Sequence, residues 1–72
     1  MIYSKLFKAS NLSNQELCNA LEITHSQRKQ FQQTKKVDFE RLVTFGKKLG
    51  FSNSQMTEMV VESISEIFRQ QQ

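Results

Sequence analysis

Apolar positions along this chain recur at intervals of three and four residues, and no run of β-branched residues alternates with polar ones over five positions. That spacing is helical. Proline is absent, so no helix is interrupted by one. The pattern predicts an all-α protein: a compact bundle of about five helices with a longer helix at the C-terminal end.

Capping chemistry sets the helix starts. The first backbone N–H groups of a helix find no partner within it. A Ser, Thr or Asp at the N-cap accepts from one, and a Glu or Gln three residues on accepts from the cap's own N–H. The run Leu12-Ser13-Asn14-Gln15-Glu16-Leu17 has the cap, the box and a flanking apolar pair. Phe51-Ser52-Asn53-Ser54-Gln55-Met56 repeats it. Thr24 and Gln27 form a box, and Asp38 is a cap without one, between Val37 and Leu42.

These signals predict helices over Ile2–Ala9, Asn14–Leu21, His25–Gln33, Phe39–Leu49 and Asn53–Arg69. The first should bury Ile2, Tyr3, Leu6 and Phe7, and the second Leu17, Cys18 and Leu21. Ile23 and Phe31 should anchor the third. The fourth should bury Phe39, Leu42, Val43, Gly46 and Leu49, with Gly50 ending it in a left-handed turn. Met56, Met59, Val60, Ile64, Ile67 and Phe68 form the apolar stripe of the fifth. No repeat or linker divides the chain, so 1–72 is expected to be a single domain.

Composition narrows the function. The 72 residues are 38% apolar and 24% charged, as in a folded domain. A chain this short has little core to spare for a deep catalytic pocket. One cysteine (Cys18), one histidine (His25) and two glycines leave no material for a disulfide, a Cys- or His-based metal site or a Gly-rich phosphate loop. Cys18 reads as a small buried residue with no basic neighbour in sequence. The expectation is a non-enzyme with no catalytic residue, cofactor or metal. No apolar run reaches the ~18–20 residues of a membrane span, and the first residues lack a secretory core. The expected place is the reducing cytoplasm, with nucleoid association through DNA.

Charge is uneven. Residues 1–48 hold nine basic groups against four acids, a net of +5, while residues 49–72 hold one against three, a net of −2. The densest basic stretch, Gln27–Lys36, carries four positive charges, four glutamines and no acid. Such residues neutralise phosphates and can pair with base edges. Only Glu22-Ile23-Thr24 separates the second and third predicted helices, the spacing of a helix-turn-helix. The third helix has one large apolar residue, Phe31, among polar ones, which suits a helix with one edge in the core and the other in a DNA groove.

The segment Leu12–Ser52 resembles the phage Cro/repressor-type (XRE-like) helix-turn-helix family. Leu12, Ser13, Glu16, Leu17, Ile23, Thr24, Phe31, Leu42, Leu49 and Gly50 match its pattern, and Cys18 stands for its small alanine. Glu22 stands where the family has a turn glycine, and Arg28 where it has a buried aliphatic residue. Arg28 is therefore expected to snorkel outward, or the third helix to be rotated, because an unpaired buried charge is costly. The resemblance implies base contacts from His25, Ser26, Gln27, Lys29 and Gln30. It implies phosphate contacts from Asn14, Thr24, Arg28, Lys35 and Lys36, and binding as a homodimer to a two-fold operator. The expected function is a sequence-specific DNA-binding transcription regulator, a dimeric repressor, with Met56, Met59, Val60, Ile64, Ile67 and Phe68 as candidate dimer contacts. The alternative is a helical protein-interaction module, an antirepressor or inhibitor that does not read DNA. Its partner would dock on the acidic row Glu58, Glu62 and Glu66, expected opposite the apolar stripe.

Overall fold

The computed structural model describes residues 2–71. Five helices follow one another: α1 (Ile2–Ala9), α2 (Asn14–Leu21), α3 (His25–Gln33), α4 (Phe39–Lys48) and α5 (Asn53–Gln70). The four caps are in place. Ser13, Thr24 and Ser52 each accept from the backbone N–H three residues on, and Glu16, Gln27 and Gln55 return the bond. Asp38 accepts from the Arg41 N–H alone. The reciprocal bond holds the Glu16 carboxyl below its ordinary pKa, through the Ser13 backbone N–H first and its side chain second. Gly50 ends the α4 turn at φ +86°, a conformation closed to most side chains.

α1 is the central element. Ile2, Tyr3, Leu6 and Phe7 are all buried, and α3 and α5 both pack on this helix. Leu17 and Leu21 of α2, Leu42 and Phe45 of α4, and Met56 of α5 complete the core. Tyr3, Phe7, Phe31 and Phe45 form an aromatic cluster with centroids 5.1–6.4 Å apart. Edge-to-face and tilted pairs of this kind add to the burial of the rings.

Two parts of the expected core are corrected. Phe39 is 59% exposed and Val43 42% exposed, whereas Phe45 is buried. Helical spacing allows two stripes on α4 that share Leu42, Gly46 and Leu49; one adds Phe39 and Val43, the other Phe45. The aromatic cluster selects the second, because Tyr3 and Phe31 offer Phe45 ring contacts. Gly46 faces Met56 so closely that a Cβ there would overlap the Met56 side chain, which is how α4 meets α5.

The α5 stripe is also divided. Met56 is buried and Met59 and Val60 are partly so, but Ile64, Ile67 and Phe68 are mostly exposed. Eighteen residues make α5 about 27 Å long. Its outer half runs beside α1, where Lys5 meets Glu62 and Glu66, and the molecule is 38 Å in its longest dimension. Among the described residues, no helix is long and apolar enough to cross a membrane.

Candidate functional site

The turn between α2 and α3 is made by a non-glycine residue in a left-handed conformation. Glu22 adopts φ 58°, ψ 45°, the left-handed region, and its N–H closes α2 on the Cys18 carbonyl. The Ile23 N–H bonds the same carbonyl at 3.1 Å. A residue with a Cβ costs roughly 1–2 kcal/mol in that conformation. The Glu22 carboxylate stays in solvent and meets Lys48 Nζ at 3.5 Å.

α3 buries a single residue, and it is Arg28, at 7% exposure. This overturns the expectation that Arg28 snorkels out to a phosphate. Its Nη1 donates to Gln32 Oε1 at 2.9 Å, while Nε is buried with no acceptor. Gln32 stands one turn further along α3, so the guanidinium lies along the helix instead of leaving it. Among the described residues, no carboxylate pairs with Arg28.

The remaining polar residues of α3 face solvent. His25, Ser26, Gln27, Lys29 and Gln30 are all exposed. They differ in freedom. Gln27 Oε1 accepts from the Thr24 N–H at 2.8 Å, and Thr24 Oγ1 accepts from the Gln27 N–H at 3.1 Å. Both side chains are thus engaged as acceptors in the cap, which leaves the Gln27 amide nitrogen and the Thr24 hydroxyl proton to donate elsewhere. His25 is held at both nitrogens: Nε2 lies 3.3 Å from Gln15 Oε1, and Nδ1 lies 3.6 Å from Cys18 Sγ. An amide oxygen can only accept, so Nε2 is the nitrogen that donates to Gln15. Cys18 is buried as expected. Its basic neighbour, absent in sequence, is supplied by the fold. Ser26, Lys29 and Gln30 have no side-chain partner among the described residues and are the freest donors on the helix.

The other expected phosphate contacts separate into two places. Lys36 and Gln30 line a small cleft of about 270 Å³ with Tyr3, Phe31 and Arg41. Arg41 lies over the Phe31 ring, 5.5 Å from its centroid. The sequence reading counted Arg41 only as charge; its place in the first turn of the helix after the basic loop was the available signal. Gln15, which fixes His25, was likewise missed, since ten residues separate them. Burial raises the Tyr3 hydroxyl above its ordinary pKa, against the opposing effects of the Asp38 backbone and the Arg41 charge. Asn14 and Lys35 line a larger groove of about 830 Å³ beside α1 and α5.

The acidic row of α5 is not a free strip. Lys5 Nζ lies 3.4 Å from Glu62 and 3.3 Å from Glu66, so the row's edge rests on α1. Partial desolvation works to lower the Lys5 pKa, but the bonds to Glu66 and Glu62 outweigh it and raise it. Glu58 makes no ion pair among the described residues.

No family model, curated protein or solved structure matches this chain.

Proposed function

We propose that this chain is a sequence-specific DNA-binding transcription regulator, a repressor that acts as a dimer on a two-fold operator and reads base edges with α3. One observation carries the reading. α3 is tethered by Arg28, Phe31 and the preceding Ile23, and presents an exposed row of His25, Ser26, Gln27, Lys29 and Gln30 containing no acid. A helix offering donors and a cation over a major groove needs that composition. Lys35, Lys36 and Arg41 flank it with positive charge suited to phosphates. Arg28 is not among the contacts, because its charge is inside. Ser26, Lys29 and Gln30 are the leading base contacts, since Gln27 and His25 must give up internal bonds to serve.

The exposed outer edge of α5 supports the dimer. Val61, Ile64 and Phe68 follow one another at i, i+3 and i+7, and all three are at least half exposed. A second copy of the same edge would cover them in an isologous contact.

Selection of preferred duplexes, followed by mutation, tests the reading. Gln30→Ala is expected to weaken the preferred duplex against random DNA by about 1–3 kcal/mol. Lys36→Ala is expected to weaken both equally. If the two variants shift specificity alike, α3 is not the reading helix.

A further inference from the structure

A groove of about 830 Å³ lies between α1, α5 and the 34–38 connection. That size falls within the ~300–1,000 Å³ of small-molecule sites, which are mostly apolar with a few placed polar groups. Phe7, Leu17, Val37, Val60 and Ile67 are among its apolar walls. Val61 and Phe68 do not line it, so it is separate from the outer edge of α5 assigned above to a second copy; Ile64 lies on the crest between the two.

Its charge is unbalanced. Lys5, Lys8, Lys35 and Glu66 are the charged residues on its walls. Lys5 and Glu66 satisfy each other. Lys8 and Lys35 have no ion-pair partner among the described residues. Gln32, on the same wall, has its Oε1 occupied by Arg28, so its Nε2 is left to donate. That Oε1 holds the guanidinium of Arg28, which does not itself line the groove: a buried positive charge with an orphaned Nε and, among the described residues, no carboxylate partner. A charge in low dielectric is costly until an opposite one approaches. Two observations, the surplus lysines and the buried arginine, therefore ask for the same thing: a negative head group with an apolar body.

We propose that this groove binds an acyl carboxylate, its head group at the Gln32 and Lys35 wall with Lys8 in reach, and its chain against Val60 and Ile67. The wall runs along α5 from Val60 to Gln70, about 15 Å. An extended chain of about twelve carbons spans that distance.

Dodecanoate, kept below its micelle concentration, is the probe. Calorimetric titration of the whole chain is expected to show one dodecanoate per protein, bound at least tenfold more tightly than dodecanol. The double variant Lys8→Gln/Lys35→Gln should remove that preference while keeping the circular dichroism of the parent. Arg28→Met supplies a second arm: an apolar replacement of a buried charge is tolerated by the fold, and the variant should lose affinity for dodecanoate severalfold but not for dodecanol. Equal binding of the two compounds, or no saturation at one per chain, overturns the proposal. Dodecanoate affinity that falls as protein concentration rises, in step with dimer formation by sedimentation, also overturns it and gives the groove to a second copy.

Discussion

Glu22 shows what one residue can carry. It sits at φ 58° to turn the chain from α2 into α3, and among the described residues its side chain pairs only with Lys48 at the surface. An exposed pair of this kind contributes ~0–1 kcal/mol, less than the roughly 1–2 kcal/mol of left-handed strain. Asn tolerates this conformation better than Glu, and a β-branched residue tolerates it worst. Urea denaturation should therefore rank Glu22→Asn above the parent by about 0.5 kcal/mol, and Glu22→Val below it by at least ~1 kcal/mol. An unchanged ranking would mean that the turn relaxes without the left-handed residue. That Glu22 falls between two helices was visible in the chain; its left-handed conformation was not, because propensity at one residue yields to packing on both sides. Arg28 teaches the same lesson in reverse. Its conflict with a core position was legible, but its resolution depended on Gln32 one turn away and on how much space α1 leaves beside α3.

At the scale of elements, the helix starts were legible because capping is local. Ser13, Thr24, Asp38 and Ser52 decide four starts through bonds spanning three residues. Helix rotation is not local. α4 offers two apolar stripes, and only the rings of Tyr3 and Phe31, distant in sequence, select the one containing Phe45. The choice has a measurable consequence. Phe45→Ala empties a buried site in the aromatic cluster and is expected to cost about 3–5 kcal/mol. Phe39→Ala removes a ring already 59% exposed and is expected to cost under ~1 kcal/mol. Since a chain of this length holds only ~4–10 kcal/mol in all, the first variant should be close to unfolded at 25 °C and the second should not. Equal losses by thermal denaturation would return α4 to the other rotation. The candidate site was legible to the same depth: the exposed α3 row follows from composition, while the ties of His25 to Gln15 and Cys18 join separate helices and leave no trace in spacing.

At the scale of the whole molecule, charge and assembly meet in one quantity. The basic part of the chain, at +5, contains α3 and its flanks, and the acidic part, at −2, is α5 and its approach. Docking through the basic part releases counterions, and log K falls with log salt by about 0.9 for each phosphate neutralised. One chain offers Lys29, Lys36 and Arg41 on or beside the exposed α3 row and Lys35 at the groove, about four contacts at most. A single domain on DNA should then show a slope near −3 to −4, and a dimer on a two-fold site a slope near −6 to −7. Phe68 gives a way to separate these, because it is 68% exposed on the outer edge of α5 and contributes little to the core of one chain. Phe68→Glu should leave the folding transition nearly unchanged while breaking the pairing of two such edges. The parent is expected to show the steeper slope on its selected site, and Phe68→Glu roughly half of it with much weaker binding. A parent slope already near −3 to −4, unaltered by Phe68→Glu, would make the chain a monomeric binder. A slope near zero would leave the α3 row as solvated surface and favour the protein-interaction alternative.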